Sequence, residues 1–149
     1  MNINKFTQKS MEAVQNCEKL AYEFGNQEID QEHLLKSLID QEDGLILKLI
    51  EKMEINTAHF SNRVTEDLNK KVKVQGGDLR ISNDLNKVLI TAEDEAKAMG
   101  DEYVSVEHLF LSLLKYPNKA MKELFKEYGI TRDRFLTALS TVRGNQRVT

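Results

Sequence analysis

The chain carries one stretch twice, and that duplication limits its fold more than any other feature. Ile29-Asp30-Gln31-Glu32-His33-Leu34-Leu35-Lys36-Ser37-Leu38-Ile39 returns as Val104-Ser105-Val106-Glu107-His108-Leu109-Phe110-Leu111-Ser112-Leu113-Leu114, an offset of 75 residues. The offset holds without a gap well beyond the stretch. Phe6 falls on Ile81, Glu18 on Glu93, Ala21 on Ala96, Gly25 on Gly100, Leu49 on Leu124 and Phe60 on Phe135. Self-similarity at a constant spacing marks a duplicated structural unit, and neither copy can bury its apolar faces alone.

Within each copy the apolar residues recur at the helical period. Met11, Val14, Cys17, Ala21 and Phe24 share one face, as do Leu85, Leu89, Ala92, Ala96 and Met99. Thr7 and Ser82 suit the N-caps of these helices, and Gly25 and Gly100 suit their stops. The repeated stretch predicts a second helix capped by Asp30 or Ser105, with Glu32 or Glu107 in the first turn, where the helix dipole favours an anion. A third helix carries Leu45 to Met53 in one copy; its mate carries Ala120 to Tyr128 and starts at Pro117. A fourth buries Phe60, Val64 and Leu68, and its mate Phe135, Leu139 and Val142. The expected fold is all-α: eight helices as two tandem four-helix repeats about a pseudo-two-fold axis. One domain spans 1–149, with repeat 1 over about 6–68, a surface-loop connector over 69–81, repeat 2 over 82–143 and the start of a linker at 144–149.

Composition narrows the function. A net charge of −3 has the wrong sign for a protein held to nucleic acid by phosphate contacts. No apolar run approaches the ~18 residues of a membrane-spanning helix. Met1-Asn2-Ile3-Asn4-Lys5-Phe6 lacks a signal-peptide core, so a cytoplasmic location is expected. The single cysteine, Cys17, lies on an apolar helical face and reads as a small buried hydrophobe. Catalytic patterns are missing: neither G-x-x-x-x-G-K-[ST] nor G-x-G-x-x-G occurs. His33 and His108 follow glutamates but belong to no H-E-x-x-H, and packing near a helix start suits them better than binding a metal. His59 reads as a solvated helix residue. The carboxylates Glu42, Asp43, Glu93, Asp94 and Glu95 read as solvated charge. No enzymatic site is expected in these residues.

The duplicated E-H-L-[LF] motif, with Asp101-Glu102-Tyr103-Val104-Ser105-Val106-Glu107-His108-Leu109 in the second copy, resembles the Clp repeat domain at the N-terminus of Clp ATP-dependent unfoldases. The resemblance covers nearly the whole chain. Phe6-Thr7-Gln8-Lys9, the connector Val72-Lys73-Val74-Gln75-Gly76-Gly77 and the exit Val142-Arg143-Gly144-Asn145-Gln146-Arg147-Val148-Thr149 are similar to the ClpB-type disaggregases in particular. The resemblance implies a mobile N-terminal domain on a homohexameric AAA+ ring that engages exposed apolar segments of aggregated or unfolded polypeptides. It implies ATP and Mg only for the rest of such a protein, and a DnaK-type Hsp70 partner docking elsewhere. Carried over residue by residue, it implies roles for Thr7, Asp101 and Glu107, and an aliphatic groove residue at Leu89. Thr91 and His108 stand where some relatives carry leucine, so the groove is expected to be less apolar here.

The repeats themselves add a hint. Lys36 becomes Leu111 and Gln15 becomes Ile90. The broader apolar arc of the second copy is either a binding surface or a more central place in the core. The expected substrate-binding residues are therefore Thr7, Leu89, Asp101, Glu107 and Leu111. The alternative is a regulatory docking domain as in ClpC or ClpA, in which Glu32 and Glu107 receive adaptors or phosphoarginine. In either case the chain by itself should be a monomer. Sedimentation velocity is expected to give a single species of monomer mass, and a stable hexamer would overturn that expectation.

Overall fold

A computed structural model describes residues 3–144 and 148–149. Among them run eight α-helices: α1 (Gln8–Glu23), α2 (Gln31–Asp40), α3 (Leu45–Lys52), α4 (Thr57–Asn69), α5 (Asn83–Ala98), α6 (Val106–Lys115), α7 (Lys119–Tyr128) and α8 (Arg132–Arg143). The ends of α5 and α6 fall 75 residues beyond those of α1 and α2. No described helix is long and apolar enough to cross a membrane.

Side-chain caps set the helix starts. Thr7 Oγ1 accepts the Ser10 N–H at 3.2 Å, and Ser82 Oγ accepts the Leu85 N–H at 2.9 Å. Asn56, Asn118 and Thr131 cap α4, α7 and α8 in the same way. Pro117 therefore stands just before the cap of α7 and not at its first turn. Gly25 and Gly100 leave α1 and α5 with φ of +71° and +72°, a backbone that a Cβ would strain.

Helices α2 and α6 form the centre. Gln31 to Leu35 and Val106 to Leu113 are buried without a break. Phe110 stacks on Phe135 with ring centroids 4.5 Å apart and meets Phe125 edge-on at 5.7 Å. Small polar residues dock the outer helices onto this pair. Ser37 Oγ donates to the Ala13 carbonyl of α1 at 2.6 Å, and its repeat mate Ser112 donates to the Val88 carbonyl of α5 at 2.8 Å.

The connector ends in something the helical period does not announce. Strand β1 (Glu28–Ile29) pairs in parallel with β2 (Arg80–Ile81). The repeat mates of Ile81 and Ile29 are Phe6 and Val104, and these also form a parallel bridge. Each copy thus lays the residue before its first helix against the other copy's α1–α2 or α5–α6 connection. A two-fold relation between the copies would produce this exchange.

Three expectations change. Leu111 is 0% exposed, so the broader arc of the second copy is core at that position and not surface. Ile90 is 48% exposed and does lie outside it. Val142 points outward at 49% exposure, past the last turn that α8 packs. Glu95 is buried, because Arg132 grips both of its oxygens at 2.6 and 2.9 Å. The Asn145-Gln146-Arg147 part of the exit lies outside the described residues. Leu111→Ala is expected to cost about 2–5 kcal/mol in urea denaturation, the range for emptying a buried leucine site. An unchanged midpoint would return Leu111 to the surface.

Candidate functional site

The duplicated Glu-His-Leu is first a device for starting a helix. Asp30 and Ser105 stand at the N-cap, so the histidine falls at the third helical position. His33 Nδ1 accepts the Asp30 N–H at 2.9 Å, and His108 Nδ1 accepts the Ser105 N–H at 2.8 Å. This is a capping box with imidazole in place of the usual Glu or Gln. An Nδ1 that accepts leaves the ring proton on Nε2. That nitrogen meets Asn26 Oδ1 at 2.9 Å in the first copy and Asp101 Oδ2 at 2.6 Å in the second. Both rings are fully buried. Burial, then the nearby Lys71 charge, pushes His33 down to about 4. Burial likewise holds His108 below its ordinary value.

The acids are committed to internal cations. Glu32 binds Lys71 Nζ at 2.7 Å and accepts from Asn118 Nδ2 at 2.7 Å, and Asp30 lies 3.3 Å from the same ammonium. In the second copy the Arg143 guanidinium reaches Asp101 by one arm and Glu107 at 3.6 Å by the other. Asp101 also accepts the Val148 N–H at 2.8 Å. Burial alone would raise the Asp101 carboxyl; the donors from Arg143, Val148 and His108 outweigh it and hold the group low. Lys71 and Arg143 do not occupy matching positions in the repeat, so the copies reached similar neutrality by different routes. Among the described residues no group of three His, Cys, Asp or Glu is placed to hold a metal ion.

The open apolar surface lies elsewhere. Val14, Cys17, Ile29, Ile81, Leu85 and Leu89, with Gln15 and Glu18, line a cleft of about 190 Å³ between α1, α5 and the strand pair. Ile81 is 48% exposed, while Leu89 shows only 2% and forms the floor. Cys17 is closed off in the wall, its thiol pushed up to about 12 by burial. Gln15 also borders a wider depression of about 580 Å³ lined by Asn4, Phe6, Thr7, Met11 and Glu12. A third hollow, of about 430 Å³, carries Lys52, Glu54, Asp133 and Arg134 and offers charge of both signs.

Thr7 thus borders the wider depression and Leu89 floors the cleft, and Gln15 lines both hollows. Asp101 and Glu107 share Arg143 in a separate buried cluster, and Leu111 belongs to the core. Sequence reasoning missed Val14 and Ile81. Val14 was within reach, being the repeat mate of Leu89. Ile81 was not, since nothing in the connector marks it as a strand.

The family model for the Clp repeat N-terminal domain matches residues 5–128. The chaperone protein ClpB of Nitratidesulfovibrio vulgaris is 40% identical over 155 residues, covering 100% of this chain and 18% of that protein. The ClpB of Bacillus anthracis is 36% identical over 154 residues, with the same coverage of 100% and 18%. The chain thus spans less than a fifth of the length of these curated relatives. The crystal structure of the Hsp104 N-terminal domain from Candida albicans superposes with a TM-score of 0.83 at 26% identity, covering 97% of this chain and 95% of that one.

A buried neutral imidazole makes stability depend on pH. The unfolded ring takes up a proton near 6.5, the folded one only near 4. The contribution of His33 is complete above pH 6.5 and is lost as the pH falls towards 4, at about 1.4 kcal/mol per unit of separation. Asp101, held low, adds a further loss only as the pH falls through the carboxylate range. Urea midpoints of His33→Gln, though lower at neutral pH, should fall less steeply than those of the wild type between pH 6.5 and 4. Parallel slopes would contradict a neutral His33.

Proposed function

The chain belongs to the Clp repeat N-terminal domain family, and we propose that it is the substrate-engaging module of a ClpB-type protein disaggregase. One observation carries this reading: an apolar cleft of Val14, Ile29, Ile81, Leu85 and Leu89 stays open where the two repeats meet. In this reading the rest of the protein is a homohexameric AAA+ ATPase that binds ATP and Mg and works with a DnaK-type Hsp70. This chain does no chemistry and holds exposed apolar segments of unfolded or aggregated polypeptides. A cleft of about 190 Å³ takes one or two side chains. Burying one large apolar side chain stabilises by about 1.5–3 kcal/mol, before the segment's ordering is charged against it. Binding is therefore weak and tolerant of sequence, as a chaperone that meets many clients requires. Thr7 and Leu89 border the surface used; Asp101 and Glu107 act by positioning the connection between α5 and α6.

The docking alternative places a guanidinium or adaptor at Glu32 and Glu107. Both carboxylates already face an internal cation, Lys71 at 2.7 Å and Arg143 at 3.6 Å. A ligand would have to displace these, and that favours the cleft.

Methyl and amide NMR of the chain, titrated with an unfolded apolar-rich protein and in parallel with a phosphoarginine peptide, separates the readings. Shifts at Val14, Ile81 and Leu89 with the unfolded protein are expected. Val14→Asp should weaken that binding roughly tenfold, the effect of losing about one buried side chain. Tyr22→Asp, at an exposed site outside the cleft, should not. Shifts confined to Glu32 and Glu107 with the phosphoarginine peptide would overturn the proposal.

A further inference from the structure

Ile81 offers two kinds of recognition. Its neighbours hold the strand pair together: the Arg80 N–H donates to the Gln27 carbonyl at 3.1 Å and the Ser82 N–H to the Ile29 carbonyl at 2.9 Å. In a parallel ladder a residue between two such bonds turns its own N–H and C=O to the opposite edge. β2 is an end strand of a two-stranded sheet, so among the described residues that edge carries no strand. The Ile81 side chain lies on the same face as that of its register partner Ile29, and both line the apolar cleft. A strand added beside β2 would place its in-register side chains on that face as well.

The other copy builds the same feature but packs its side chain away. The Val104 N–H donates to the Lys5 carbonyl at 2.7 Å and the Thr7 N–H to the Val104 carbonyl at 2.9 Å, so Phe6 stands as Ile81 does. Phe6, however, is 8% exposed and Ile81 48%. Folded proteins usually blunt a free strand edge, because it invites pairing. Here, of the two related edge residues, Ile81 alone keeps its side chain exposed, beside an apolar cleft. The charged residues lining that cleft and the depression adjoining it are Glu18 and Glu12, both acids.

Building on the function proposed above, we propose that the client segment binds as an added strand on the free edge of β2. Its main chain pairs with the N–H and C=O of Ile81, alternate apolar side chains enter the cleft, and flanking Lys or Arg residues face Glu18 and Glu12. Main-chain pairing makes the site indifferent to most of the client's sequence while demanding that the client be extended. A folded protein cannot supply such a segment; an unfolded or aggregated one can.

The test uses a soluble octapeptide of alternating apolar and serine residues with Lys at both ends, titrated into the chain by NMR. The Ile81 amide is expected to shift and to gain protection from exchange, together with methyl shifts at Val14 and Leu89. Two versions N-methylated on opposite alternate positions should differ. One set blocks the paired edge and weakens binding roughly tenfold, the loss of one or two hydrogen bonds, while the other is tolerated. Ile81→Pro, which removes the outward donor, should weaken the parent peptide similarly if circular dichroism shows it folded; the methylated peptides decide the matter if it is not. Exchanging Lys for Glu at the peptide ends should also weaken binding. Methyl shifts with equal binding of both N-methylated peptides would overturn strand addition and leave the cleft reading standing. No shift with any peptide would overturn both.

Discussion

Each half of this protein depends on one hydrogen bond shielded by the core, from the backbone N–H of a helix N-cap to the Nδ1 of an imidazole three residues on; it is buried in the second copy and half-buried in the first. Helix α6 begins in the interior and α2 at its half-buried margin, where water is a poor partner for the first N–H groups. His33 and His108 supply that acceptor from inside the helix, at 2.9 and 2.8 Å. The far side of each ring ties the start of the helix to Asn26 or Asp101, just past the end of the preceding helix. The bond thus sets the angle at which α1 meets α2 and α5 meets α6. Ser37 and Ser112 then fix the same helix pairs further along. A glutamate in a conventional capping box would bring a charge to this site, where desolvation opposes it; a neutral imidazole does not.

On this shared frame the copies have diverged, and the divergences explain the shape of the molecule. Asn26 is neutral and Asp101 charged, so the cation of the second copy, Arg143, is drawn to Asp101 as well as Glu107, whereas Lys71 in the first copy serves Asp30 and Glu32. That ties the end of α8 and Val148 to the connection between α5 and α6. Lys36 stays at a partly buried edge with Asp40 2.8 Å away, whereas its repeat mate Leu111 sits in the core. Phe6 is packed away and Ile81 is not. Beside the exposed Ile81, residues of both copies leave an apolar cleft. That unclosed place is the one on which the proposed function rests.

Much of this was legible before any coordinates. The 75-residue offset, the apolar period and the cap residues Thr7, Asp30, Ser82 and Ser105 identify the helices closely, because each rests on contacts within a few residues. The strand pair was not legible. A two-residue strand has no period, and Arg80 and Ile81 sit at the end of a polar connector. Glu95 was misread as solvated because its partner, Arg132, lies in another helix of the repeat. Leu111 was open to two readings for a related reason: a wide apolar arc looks alike whether it faces solvent or a neighbour.

The sequence by itself determined the duplication, the eight helices, most of their caps and the family, all properties of local pattern or of likeness along the chain. Tertiary structure decided which apolar residues are core and which are surface. It assigned Asp101 and Glu107 to an internal ion cluster and joined Val14, Ile81 and Leu89 into one cleft. Those outcomes depend on distances between residues far apart in the chain, and such distances are set only when the two copies pack against each other.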